Sequence, residues 1–318
     1  GGANTIDAGD DGDTINLIAG TNTVFAGSGA DTLTVTSGLN TIEMGNDDDV
    51  IALNGGNNTV YGGSGTDSIT ANNGTNVIDS GTENDTITLN NDTNSVVAGL
   101  GADSITATSG TNTIDAGNDA DVIILNGGSN TIVGSSGTDS ITANDGTNVI
   151  DAGTENDTIT ANSGTNTIDA GAGDDTINLI SGDNTVLAGS GNDTITASGG
   201  SNTIATDDGT NTVILEEGHN SVTAGVDNDT ITANSGTNTI DAGAGDDKID
   251  LNNGTNSVMA GSGVDTITVA SGVNTIDAGV DDDFITLNGG NNTVYGASGA
   301  DSITANDGTN LIDAGTEN

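Results

Sequence analysis

Aliphatic residues recur along this chain every nine positions, from Ile6 and Ile15 through Val24 and Leu33 to Ile303 and Ile312. Around each of them the pattern alternates with a period of two. In DTLTVT (31–36), Leu33 and Val35 alternate with Thr32 and Thr34; after SGLN, Ile42 and Met44 alternate with Thr41 and Glu43. Period two marks a half-buried strand, whose successive side chains point to opposite faces. Gly-rich segments such as AGSGAD and SGLN separate the strands, so eighteen residues hold two short strands and two turns. One such coil cannot bury its apolar face alone, and a fixed period over a whole chain means that coils stack. The pattern predicts an all-β fold, a parallel β-roll or β-solenoid of about 17–18 coils, running as one continuous array through residues 1–318. Inward side chains are small, Ile or Val beside Ala or Leu, so the core is thin and the turns must help to hold it.

Two polar ladders run through those turns. Stepping by eighteen from Asn4 to Asn310, all eighteen positions are asparagine. Nine residues out of phase, sixteen of seventeen positions are aspartate: Asp13, Asp31, Asp49, Asp67, Asp85, Asp103, Asp121, Asp139, Asp157, Asp175, Asp193, Asp229, Asp247, Asp265, Asp283 and Asp301, with Asn211 the exception. Stacked coils place these carboxylates in a column about 4.8 Å apart. Two such charges repel by roughly 3.5 kcal/mol at an effective dielectric near 20. A column of this kind needs a cation, and oxygen ligands select a hard one such as Ca²⁺. The plainer alternative is that these aspartates are partly solvated turn caps.

The Asp-side turn reads GGSGTD at 62–67 and AGSGND at 188–193, each followed by an aliphatic residue two places on. It resembles the nonapeptide GGxGxDxUx of the RTX family, the haemolysin-type calcium-binding repeat, and the resemblance covers the whole chain. It implies a parallel β-roll in which Ca²⁺ is bound by backbone carbonyls and by the Asp carboxylates of stacked turns. This chain departs from the family on its other turn, which carries GTN, as at Gly74–Thr75–Asn76, where the family repeats the Asp motif. An amide is a poor calcium ligand but a good ladder former. The expectation is a one-sided roll, with multiple calcium ions along the Asp edge and an asparagine ladder on the other. Gly stands two before the Asn in every coil except at Asp92.

Other positions carry less. Two before the ladder aspartate stand seven acids, Asp11, Asp47, Glu83, Asp119, Glu155, Asp227 and Asp281, readable as extra ligands or as surface charge, the latter preferred. Around Asn211 the carboxylate is lost, and Asp207 with Asp208 are candidates to compensate. His219 has no nucleophile or partner and reads as an exposed turn residue. Outward Thr pairs, such as Thr86 with Thr88 and Thr194 with Thr196, resemble the faces of ice-binding β-solenoids, but Thr is also simply a good exposed strand residue. On the Asn-side strand the outward position alternates over 36 residues between acids (Asp7, Glu43, Asp79, Asp115) and apolar groups (Phe25, Tyr61, Val97, Val133). That row is either a contact surface for lateral self-association or the relic of a duplicated two-coil unit.

Composition narrows the function. The formal charge is −46, with Lys248 the only basic residue besides His219, which argues against nucleic acid and anionic membranes as partners. No run approaches eighteen apolar residues, so membrane insertion is not expected. Pro and Cys are absent. No leader is visible at Gly1, and the sequence reads as a segment of a longer array. No candidate catalytic group is unique; every feature recurs. The expected function is non-catalytic: an extracellular or cell-surface bacterial calcium-binding array, the shaft of an adhesin, surface-layer or matrix fibre. The alternatives are the calcium-folded secretion region of an RTX enzyme or toxin, and an ice-binding module.

Overall fold

The predicted DTLTVT strand forms over Thr32–Val35, and its successor over Leu39–Asn46. The computed structural model describes residues 2–316, and this pair of strands repeats throughout them. The short strand is four residues long with alternating burial; the longer one carries the buried Asn as its second residue and runs five to eight residues. No helix long and apolar enough to cross a membrane occurs among the described residues.

The chain divides into two units, Gly1–Thr158 and Ile159–Asn318, each a parallel β-solenoid with its own stack of coils. Strands eighteen residues apart pair in parallel with no offset. In the first unit Asn22 faces Asn40 and Val24 faces Ile42; in the second Asn202 faces Asn220 and Ile204 faces Val222. A slip by one residue would turn every aliphatic side chain outward and both ladders with them, which fixes this register. Within each unit long strands form one sheet and short strands the other, and the core is the thin layer between them. It holds, in one coil, Ile42 and Met44 from the long strand and Ile51 and Leu53 from the short one, all at most 1% exposed.

The turns close because coils stack backbone on backbone. Thr32 N–H donates to Asp13 O at 2.9 Å and Thr36 N–H to Leu17 O at 2.8 Å. At Gly27, with φ of 112°, a Cβ would run into the carbonyl of Gly9 in the coil before it. Glycine there permits both the left-handed backbone and the close approach.

The acid–apolar row on the long-strand sheet is continuous in the first unit. Asp7 faces Phe25, Phe25 faces Glu43, Glu43 faces Tyr61 and Tyr61 faces Asp79. Phe25 is 40% exposed and Tyr61 44%. The alternation puts acids two coils apart, roughly 9.6 Å at the usual strand spacing. That halves the repulsion between neighbouring acids relative to an unbroken acidic row.

Candidate metal edge and amide edge

Both ladder residues turn inward at the start of a strand, and both are buried. Asn112, Asn130, Asp103 and Asp121 are at most 2% exposed. A buried amide must satisfy its donors and acceptor, and here each one does so with its own kind. Asn94 Nδ2 donates to Asn112 Oδ1 at 2.9 Å, Asn112 to Asn130 at 2.8 Å, and Asn130 to Asn148 at 2.8 Å. The second proton reaches the turn carbonyl three residues back at many of these amides, as from Asn94 to Asn91 O, Asn112 to Ser109 O and Asn130 to Gly127 O at 3.1–3.2 Å. The same arrangement holds the second unit, from Asn166 to Asn184 and onward to Asn292 with Asn310. The asparagine ladder expected from the sequence is present. Asp92, the residue that replaces the usual Gly, adopts φ of 63° and accepts the Gly74 N–H at 2.8 Å.

The aspartate edge is built differently. One carboxylate oxygen of each ladder residue is used by the coil before it: Asp31 N–H donates to Asp49 Oδ1 at 2.7 Å, Asp49 N–H to Asp67 Oδ1 at 2.9 Å, and Asp247 N–H to Asp265 Oδ1 at 2.8 Å. At many of them the other oxygen is not. At Asp31, Asp67, Asp103, Asp139, Asp193, Asp247 and Asp283, among others, Oδ2 is buried with no hydrogen-bond partner. Burial pushes the carboxyls of Asp67, Asp103, Asp121 and Asp283 up to about 7, and those of Asp49, Asp229, Asp247 and Asp265 to about 6. Neighbouring ladder carboxylates add to the rise at Asp67 and Asp121, against the lowering effect of the donated N–H. A buried, ionised oxygen without a partner is costly unless a cation meets it.

Three glycines show what surrounds that oxygen. A Cβ at Gly296 would sit 2.6 Å from both Asp301 Oδ2 and the carbonyl oxygen of Ala314 in the next coil. At Gly62 the same two kinds of oxygen, Asp67 Oδ2 and Ser80 O, crowd the spot, and at Gly134 they come from Asp139 and Ala152. In these three coils a carboxylate oxygen and a backbone carbonyl of the following coil thus converge inside the turn. No group of three or more acidic, histidine or cysteine side chains gathers to hold a metal among the described residues. The donor set is one carboxylate oxygen plus carbonyls, the all-oxygen chemistry that suits calcium.

The acids two before the ladder position do more than add surface charge. Asp47, Glu83, Asp119 and Glu155 adopt φ between 74° and 78°, a conformation that side chains with a Cβ rarely take. Each reaches back one coil to a glycine N–H: Gly29 to Asp47 at 3.0 Å, Gly65 to Glu83 at 2.9 Å, Gly101 to Asp119 at 3.3 Å, Gly137 to Glu155 at 3.0 Å. Gly209 does the same to Asp227 and Gly263 to Asp281. The next residue reaches forward instead: Asp48 Oδ1 accepts the Thr66 N–H at 2.8 Å and Asn84 Oδ1 the Ala102 N–H at 2.9 Å. An acid-bearing coil therefore clamps both of its neighbours. The Thr82 hydroxyl and then the Gly65 N–H hold the Glu83 carboxyl below its usual range.

Two further expectations are corrected. Asp207 and Asp208 are exposed and do not replace the buried carboxylate lost at Asn211. His219 is exposed, but it opens the strand His219–Gly225 rather than lying in a turn. Lys248 pairs with Asp250 on the outer face.

A stack of parallel coils with a repeated oxygen-lined turn defines a calcium-binding repeat β-solenoid. The chain belongs to the RTX family: the RTX calcium-binding nonapeptide repeat matches it in successive windows from residues 1–33 to 286–318. It is a calcium-binding repeat protein. No curated protein matches it in sequence. Among solved structures it is distantly similar to a hyperactive, Ca²⁺-dependent, β-helical antifreeze protein from an Antarctic bacterium, at 20% identity and a TM-score of 0.49 over 89% of this chain and 83% of that one.

Proposed function

We propose that this chain is a non-catalytic structural array outside the cell, a shaft segment of an adhesin, surface-layer or matrix fibre protein, stiffened by calcium along its aspartate edge. The ladder aspartates from Asp13 to Asp301 are the proposed carboxylate ligands, and the carbonyl of the following coil supplies a second oxygen. Bound calcium supplies the charge that offsets the buried column. The rest of the work falls to the chain: ladder N–H groups fix one carboxylate oxygen, glycines bring carbonyls close, and the acids two before the ladder position clamp turns to the coil before. The observation that carries the reading is the buried Oδ2 without a hydrogen-bond partner at ladder aspartates of both units, which at Asp67, Asp139 and Asp301 stands beside a carbonyl of the following coil. The amide edge, whose donors and acceptors are satisfied by one another, needs no metal.

Circular dichroism of the whole chain with calcium and with EGTA tests it. A β spectrum and melting temperature unchanged by the chelator would sink the reading. Lateral pairing of two copies through the row of Phe25, Tyr61, Val97 and Val133 belongs to the same proposal, with calcium screening the acids between them. The ice-binding alternative is weakened by the outer Thr rows, which are broken by Val50, by Val122 with Ile124, by Lys248 with Asp250 and by Phe284. An RTX enzyme or toxin would carry a catalytic or pore-forming region elsewhere in its gene, which the full reading frame decides.

A further inference from the structure

The coil from Asn202 to His219 keeps the shape of its neighbours while changing both groups that converge inside the turn. Asn211 is fully buried and preserves the backbone ladder: its Oδ1 accepts the Asp193 N–H at 2.9 Å and its own N–H donates to Asp229 Oδ1 at 2.7 Å. Where an aspartate presents an unpartnered Oδ2, Asn211 presents Nδ2, a donor, and spends it on Gly209 O at 2.9 Å. The carbonyl of the following coil is also taken. Thr206 occupies the inward position that is Gly62, Gly134 or Gly296 elsewhere; it is fully buried, and its hydroxyl donates to Ala224 O at 2.6 Å. Ser80 makes the equivalent bond to Ala98 O at 2.9 Å, but its coil retains Asp85. Among the described residues, only at Thr206 and Asn211 does the loss of the ladder carboxylate coincide with an inward hydroxyl bonded to the carbonyl of the following coil.

We propose that this coil is a metal-free link in the second unit's aspartate edge, in which the Asn211 amide and the Thr206 hydroxyl make the hydrogen bonds that stand in for an ion. An N–H pointing at the site repels a cation, and a carbonyl already bonded to a hydroxyl is a weaker ligand, so the two changes act in the same sense. No charge is buried in this turn, and it needs none to be neutralised. The two neighbouring acids cannot restore the site, because Asp207 and Asp208 lie on the exposed side of the turn. The inference rests on the calcium reading above.

The test is long-wavelength anomalous diffraction from calcium-loaded crystals of the whole chain and of the T206A/N211D variant, which restores the Ala and Asp used in most other coils. The wild type is expected to show ions in the turns of Asp193 and Asp229 and none in that of Asn211; the variant is expected to gain one. An ion at Asn211 in the wild type at its neighbours' occupancy overturns the proposal. So does a variant that gains none while Asp193 and Asp229 keep theirs. If no ladder turn holds an ion in either protein, the calcium reading itself fails, and this inference with it. Hydrogen exchange with and without EGTA gives a second readout: amides of residues 203–213 should respond least to the chelator in the wild type and as strongly as their neighbours in the variant.

Discussion

Replacing Asn112 by Ala tests whether the amide edge carries stability of its own. Three hydrogen bonds end at this side chain: one accepted from Asn94 at 2.9 Å, one donated to Asn130 at 2.8 Å and one donated to Ser109 O at 3.1 Å. The residue is 1% exposed, so water cannot take over these bonds without opening the coil. At about 1 kcal/mol net for each bond, the loss is about 3 kcal/mol, with the Asn130 carbonyl left short of a donor inside the turn. Asn72→Ala is the control. Its side chain donates to Asn54 at 2.7 Å and accepts from Asn90 at 2.7 Å in a similar chain of amides, but it is only half-buried, so water can reach and substitute for these bonds. There the change should stay within about 0.5 kcal/mol. Urea unfolding in saturating calcium, read as a shift in midpoint at constant slope, measures both. In a repeat array the damage falls mainly on the mutated coil and its neighbours, so hydrogen exchange at residues 94–130 should show the same contrast locally. Equal, small effects at the two sites would refute the claim that burial makes this ladder structural.

In EGTA the protein should become more stable on acidification from about pH 7.5 to 5. The ladder carboxyls are raised to about 6–7 in the fold against about 3.9 in the unfolded chain, so the folded state binds more protons in that window and stability rises as pH falls through it. A melting temperature in EGTA that falls or stays flat over this range contradicts the buried-carboxylate picture. With calcium present, protons compete with the ion, and calcium affinity measured by calorimetry should fall over the same range. Glu83→Ala should speed hydrogen exchange at Gly65, whose N–H it accepts, while leaving the Asp31 amide unchanged; no change at Gly65 would return Glu83 to plain surface charge. Sedimentation velocity in calcium should show self-association that a Phe25→Ser, Tyr61→Ser, Val97→Ser variant loses; a monomeric wild type at every concentration would leave the row without a partner.

The strands, the register and the burial of both ladders were legible because each follows from a local pattern repeated without error. Leu33 and Val35 alternate with threonines, and every ladder Asn and Asp sits two residues before an aliphatic anchor. What the sequence hid lies between coils. Glu83 reads as one more acid on a very acidic chain, since its partner is a backbone N–H eighteen residues upstream and its reach depends on a φ of 74° that no side-chain pattern encodes. The division of labour within each carboxylate, Oδ1 to the chain and Oδ2 to the interior, was hidden for the same reason. Asp207 and Asp208 illustrate the converse: near in sequence to a lost carboxylate, they face solvent, while Asn211, just ahead of the strand Thr212–Leu215, is the residue turned inward.

Within each unit the buried ladder amides point one way, each ladder Asn between two others passing its proton to the coil that follows and receiving one from the coil before. Each coil is thus both plug and socket for an identical neighbour in the same orientation. A gene encoding such a chain can gain or lose eighteen codons and still join every donor to an acceptor, whereas any other change of length misaligns everything downstream of it within that unit. Unequal recombination between its own repeats is therefore tolerated in whole coils, and length becomes the property that such a gene can vary most freely.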